Sequence, residues 1–285
     1  MTLGRHFATL ATLYLNAWFC QAFVFTFVAV WAATMQELFM STDYVFGIHA
    51  VSAFMERAPE DVLELFVLKD REDQRMQPVI QLARKSGVSV QFCNRKTLDE
   101  KVNGAQHQGV VAKARLHDAG DESDLARIVE RETAPFLLIL DGITDPHNLG
   151  AILRSADAAG VHAVIAPKDR SVKLTAVVRK VACGAAESVP FINVTNLART
   201  IRQLQDAGVW VLGAAGETET TIYQAELTGP IALAMGAEGD GLRRLTKESC
   251  DSLVKIPMFG AVSSLNVSVA TGICLYEAVR QRQAK

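Results

Sequence analysis

Three short segments hold the residues able to do chemistry, and each follows an apolar run. The first spans Asp145-Pro146-His147-Asn148 to Ala156. Its apolar positions recur at Leu149, Ile152, Leu153 and Ala156, the spacing of a helix, with Asn148 as expected cap and Gly160 as stop. Arg154 then falls in the early turns, where a cation opposes the helix dipole, so helix stability does not account for it. A salt bridge is the other reading of a single helical arginine. The second segment, Gly236-Ala237-Glu238-Gly239-Asp240-Gly241, has the glycine content that lets a backbone approach a ligand closely. Glu238 is then either part of a site or an ordinary solvated carboxylate. The third, Ser263-Ser264-Leu265-Asn266, follows Ile256-Pro257 and precedes a largely apolar stretch. Ser264 or Asn266 would cap that last helix, whether or not either has a second role.

Some chemistries are disfavoured. Gly236, Gly239 and Gly241 are spaced as GxxGxG, not as the GxGxxG of a dinucleotide site, and no Gly-Lys-Ser/Thr follows to make a phosphate loop. The five cysteines (Cys20, Cys93, Cys183, Cys250, Cys274) are scattered without a CxxC pair. They fit a reducing compartment and buried packing roles better than a disulfide framework or a zinc site.

The elements that would position these segments alternate between strand and helix. From Pro135 the expected strands are 136–140, 161–166, 189–194, 209–213, 231–235 and 253–257, with helices between them and a closing helix from about 267 to 282. This pattern predicts an α/β domain with a parallel sheet covered on both faces. All three segments follow strands, where open α/β sheets place ligands. A smaller α/β unit precedes it, with strands at 64–68, 88–92 and 109–112 and helices near 49–57, 73–86 and 97–102. The expected division is a leader over 1–40, a small domain over 41–115, an acidic linker over 116–133 and the larger domain over 134–285.

The leader is uncharged from Phe7 to Gln36 and long enough to suit a membrane span. Met35 and Met40 are alternative starts, so translated upstream sequence from a misplaced start is the expectation, with an anchor or a signal peptide as the other readings. The net charge of −2 carries no global nucleic-acid signature. Lys168, Arg170, Lys173, Arg179 and Lys180 do gather against Asp169 alone, either to meet phosphates or as a solvated helix face.

Taken together, the three segments resemble the three motifs of the SpoU family of RNA ribose 2′-O-methyltransferases, in the SPOUT superfamily. The likeness runs from residue 44 to 282 and is greatest to the bacterial branch acting on a guanosine of 23S rRNA. Gly47-Ile48-His49-Ala50-Val51 and His107-Gln108-Gly109 resemble that branch's N-terminal module, and Lys180 to Pro190 adds a long match. The resemblance implies a C-terminal part threaded into a deep trefoil knot, and an N-terminal RNA-binding module like ribosomal protein L30e. It implies S-adenosyl-L-methionine as cofactor, held by Gly236, Ile256 and Leu265, and no metal. Arg154, Asn148, Glu238, Ser264 and Asn266 would surround the target ribose in a cytoplasmic homodimer. The target would be a folded loop of 23S rRNA in the peptidyl-transferase region. Within this family Arg154 is proposed as a base, but a guanidinium normally stays protonated. Phosphate binding and alkoxide stabilisation are therefore its expected tasks. A tRNA methyltransferase of the same family, or an RNA-binding protein without catalysis, are the alternatives.

Overall fold

The computed structural model of the protein describes residues 40–69 and 74–284. Apart from Met40, the expected leader lies outside them. Among the described residues no helix is long and apolar enough to cross a membrane.

The first α/β unit contains β1 (Met40–Phe46), α1 (Ile48–Arg57), β2 (Val62–Leu68), α2 (Met76–Lys85), β3 (Ser89–Cys93), α3 (Arg95–Lys101) and β4 (Val110–His117). Its sheet runs β1-β4-β2-β3, with β2 antiparallel to β4 and parallel to β3. The sequence does not announce β1, because Ser41, Thr42 and Asp43 break the apolar pattern and Asp is a poor strand former. The Gly47 and His107 segments meet inside this unit. Gln108 Oε1 accepts the Ile48 amide at 3.0 Å and His107 Nδ1 accepts the Gly109 amide at 2.9 Å. These residues therefore hold the chain reversal at a sheet end.

β4 continues to His117, past the point where the small unit was expected to stop. The acids that follow build a helix start. Asp121 accepts the Ser123 and Asp124 amides, and Asp124 returns a bond to the Asp121 amide, closing a capping box on α4 (Glu122–Arg131). The Ser123 side chain and the two amides hold the Asp121 carboxyl below its ordinary range.

The second unit continues with β5 (Phe136–Asp141), α5 (Pro146–Ala158), β6 (Ala163–Pro167), α6 (Ala176–Ala182), α7 (Ala185–Ser188), β7 (Phe191–Val194) and α8 (Leu197–Asp206). It ends with β8 (Trp210–Ala214), β9 (Ile231–Gly236), α9 (Arg244–Ser249), β10 (Ser252–Val254) and α10 (Val267–Gln283). The six strands run in the order β10-β8-β9-β5-β6-β7, and every neighbouring pair is parallel.

β5 is buried along its whole length because both faces are covered. Leu138 and Leu140 join Ile152 and Leu153 of α5 and Leu275 of α10 on one side. Leu137 and Ile139 join Ile201 and Leu204 of α8 on the other. Each such side chain contributes about 1.5–3 kcal/mol relative to exposure. The consequence for function is rigidity at the strand ends: Asp141 and Gly236 lie side by side where β5 meets β9.

The two units touch through α1 and the turn between α6 and α7. Arg57 donates to the Gly184 carbonyl and pairs with Asp157, both at 3.0 Å. Gly184 has φ +91, and a Cβ there would lie 2.4 Å from that of Ala53, so this contact requires glycine.

Candidate active site

The first segment forms α5, but its cap differs from expectation. Asp145 is the N-cap, its carboxylate accepting the His147 amide at 3.0 Å, and Pro146 occupies the first helical position. Pro fits there because its missing N–H would have no helical partner. Asn148 therefore lies inside the first turn. The shift also alters the view of Arg154, which becomes the ninth of 13 helical residues and no longer opposes the dipole at the N-terminus.

The second segment is a tight reversal after β9. Ala237 and Gly241 exchange both backbone hydrogen bonds, at 3.1 and 2.9 Å. The close approach at Gly236 is made by the chain itself: a Cβ there would stand 2.0 Å from the Gly241 carbonyl carbon. Sequence reasoning missed the anchor of this loop. Asp141, wholly buried at the end of β5, accepts the Arg243 amide at 2.9 Å. A carboxylate closing an apolar strand was the available signal.

In the third segment Asn266 does two things at once. Its Oδ1 accepts the Ser268 amide at 3.0 Å and caps α10. Its Nδ2 donates to Asn148 Oδ1 at 3.0 Å and, more weakly, to Glu238 Oε2 at 3.5 Å. Asn148 Nδ2 also reaches Glu238 Oε2, at 3.4 Å. One residue from each segment thus joins a single polar cluster. Beside it lies a cavity of about 760 Å³ lined by Gly236, Glu238, Ile256, Ser264 and Leu265. That volume suits a small-molecule cofactor. Met235, Val254, Ile256 and Leu265 offer apolar contact for a flat ring, while backbone groups of the loops supply polar contacts.

Arg154 stands apart. It is exposed, and its guanidinium Nη1 approaches Cys183 Sγ at 3.9 Å. Six residues separate it from Asn148, about 9 Å along the axis and on another face. The convergence expected from a side chain leaning toward the N-terminus does not occur within this chain. Nor does the basic cluster form one face. Arg179 is buried in an ion pair with Glu187, Lys180 donates to the Gln106 carbonyl at 2.7 Å, and Arg170 lines a different cavity.

The cysteines are also more varied than buried fillers. Cys20 lies outside the described residues. Burial pushes the Cys274 and Cys250 thiols up to about 12, whereas Cys183 is half-buried in a left-handed turn at φ +52 beside Arg154.

Comparison with known proteins follows the same outline. Residues 135–276 match the SpoU rRNA Methylase family, and residues 44–118 match the family described as RNA 2′-O ribose methyltransferase substrate binding. The chain is 61% identical over 241 residues to the 23S rRNA (guanosine-2′-O-)-methyltransferase RlmB of Escherichia coli K12, covering 85% of this chain and 99% of the relative. Identity to the RlmB of Shewanella oneidensis is also 61%, over 85% of this chain and 98% of the relative. Among solved structures, the SpoU methyltransferase AviRb of Streptomyces viridochromogenes, in complex with AdoMet, superposes with a TM-score of 0.69. It is 25% identical, with 86% of this chain and 92% of that one covered. With its parallel sheet, its three-loop cluster and this identity over nearly the full length of its relatives, the chain belongs to the SpoU family of RNA methylases.

Proposed function

We propose that this protein transfers a methyl group from S-adenosyl-L-methionine to the ribose 2′-hydroxyl of a guanosine in 23S rRNA, as a step in ribosome maturation. The observation that carries this reading is the hydrogen-bonded cluster of Asn148, Glu238 and Asn266, joined through Glu238 to the wall of the Gly236–Leu265 cavity. The RlmB relatives name the same reaction.

Gly236, Ile256 and Leu265 would hold the cofactor, largely through backbone groups and apolar contact. When bound, the cofactor supplies an already activated methyl electrophile whose leaving group departs neutral. The chain must then align the ribose so that its 2′-oxygen bonds the methyl carbon as the sulfur–methyl bond breaks, with the hydroxyl proton released to solvent. Asn148 and Asn266 present amide groups that can hold a ribose hydroxyl, and Glu238 orients them. Ser264 shapes the loop beside them. Arg154 binds the phosphate next to the target and stabilises the developing alkoxide as a protonated guanidinium.

The separation of Arg154 from the cluster supports a homodimer in which each site takes Arg154 from the second copy. Val269 and Tyr276, exposed seven residues apart on α10, give this helix an apolar stripe for such a contact. Gly272, also on α10, faces Ser155 of α5, next to Arg154 in the chain. The finer architecture belongs to the same reading. It comprises an L30e-like substrate-binding module over 41–115, an acidic linker over 116–133 and a methyltransferase domain over 134–285 knotted near its C-terminus. The passage of residues 255–266 beside the Gly236 loop, before α10 returns against α5, supports the knot. A cytoplasmic location follows from the substrate.

The test is methyl transfer from labelled cofactor to naked 23S rRNA, with mapping of the modified nucleotide. A single 2′-O-methylguanosine in the peptidyl-transferase region is expected. Label found only in tRNA, or none at all while RNA is bound, would overturn the assignment.

A further inference from the structure

A second cavity, of about 360 Å³, adjoins the first, and Ala237, Glu238, Asp240, Gly241 and Val267 line both. In-line transfer requires donor and acceptor on opposite sides of the moving methyl. An acceptor that meets the donor at Glu238 therefore has to enter from the neighbouring cavity.

The walls of this cavity favour one kind of acceptor. Arg170 and Arg243 bring guanidinium groups, while Asp145 and Asp240 bring exposed carboxylates. A bare phosphate would be repelled by those acids. Guanine instead offers acceptors at O6 and N7 and donors at N1–H and the 2-amino group, matching both signs; adenine lacks the O6 acceptor and those donors.

Arg243 is anchored at this cavity through both its backbone and its side chain. Its amide donates to Asp141 Oδ2, and its Nη1 lies 3.4 Å from Asp141 Oδ1. That buried oxygen accepts no hydrogen bond from the described residues, so displacing the guanidinium would leave a buried charge uncompensated. The Nη2 group also reaches the carbonyl of Arg170, at 3.5 Å. Arg170 itself sits at φ +55, a strained backbone conformation for a non-glycine residue and one that clusters at binding sites.

We infer that this cavity seats the target guanine, with Arg243 reading its O6/N7 edge, Asp145 its N1–H and 2-amino groups, and Asp141 acting as the positioning residue for Arg243. The inference rests on the methyltransferase reading above.

The test uses the full chain and short 23S rRNA fragments carrying guanosine, inosine or adenosine at the mapped position. Wild type should favour guanosine over adenosine by at least about 5- to 150-fold in kcat/KM, the range for a single bidentate base contact. Arg243→Gln should lower that ratio at least about fivefold, with calorimetric binding of S-adenosylhomocysteine unchanged. Asp145→Asn keeps a good helix cap and should lower the preference for guanosine over both inosine and adenosine. If Arg243→Gln fails to fold, Arg243→Lys carries the same comparison, because it retains the charge facing Asp141 but lacks the planar fork. A folded variant without measurable transfer is read by equilibrium binding of the fragments. Equal use of guanosine and adenosine by wild type, or an unchanged ratio in the Arg243 variant, overturns the inference and leaves the methyltransferase reading standing. Absence of transfer by wild type overturns both.

Discussion

Asn148 and Arg154 belong to one segment and one helix, yet their surroundings could hardly differ. Asn148 is tied to Asn266 and Glu238 across three loops, at the junction of two cavities. Arg154 projects from the exposed face of α5 toward Cys183, near the turn where the small unit packs on the large one. Proximity in sequence is thus a poor guide to shared chemistry once a helix intervenes. The cluster is organised by the chain itself, so disturbing it should cost both structure and activity. The arginine has no such support, so removing it should cost activity alone.

The largest effect is expected at Gly236. Gly236→Val forces side-chain atoms into the Gly241 backbone and should abolish cofactor binding in calorimetry; unchanged binding would contradict the loop's assigned role. Next comes Arg154→Ala, with kcat lowered about 10²- to 10³-fold, the range for losing one stabiliser of developing charge. Its melting temperature should stay at the wild-type value. Arg154→Lys sharpens this further: failure to rescue at any pH supports bidentate phosphate binding, whereas a rate that climbs toward the wild-type value as pH approaches the ordinary lysine pKa of about 10.4 would point to a deprotonated base. Asn266→Ala should behave differently, reducing turnover and also costing about 1 kcal/mol of stability in denaturant unfolding through loss of the α10 cap.

The smallest effect concerns the scaffold under the cluster. His162 Nδ1 accepts the Phe136 amide at the start of β5, and burial lowers its pKa from the ordinary 6.5. The folded state then takes up this proton less readily than the unfolded chain. Its contribution is present above about pH 6.5 and is lost as pH falls through the depressed folded value. Thermal melts across that window should show a shallow acid-side decline that His162→Gln flattens.

Much of the scaffold was legible because burial leaves a strong mark. Fully apolar runs such as Phe136–Leu140 read as strands of a covered parallel sheet, and the three loops fell at strand ends as that architecture requires. Caps were less legible. Asp145 and Asn148 are both good N-caps, and only Pro146 at the first helical position distinguishes them. The Lys168–Lys180 charges looked alike in sequence but separate in space, one into a buried pair and another onto a cavity wall. Asp141 escaped notice because a single acid ending an apolar strand is usually solvated, and only the fold reveals the Arg243 amide above it. The clustering of Asn148, Glu238 and Asn266 was drawn from the family resemblance, not from periodicity, which ends at each loop.

The division between cluster and arginine can be tested by mixing two inactive chains. Arg154→Ala and Glu238→Ala variants, unfolded and refolded together, should regain about a quarter of wild-type methyl transfer to 23S rRNA. Half of a random C2 population pairs unlike chains, and each such pair has one intact site. No recovery in a population shown to contain mixed dimers would place Arg154 and Glu238 in the same chain's site and contradict the account.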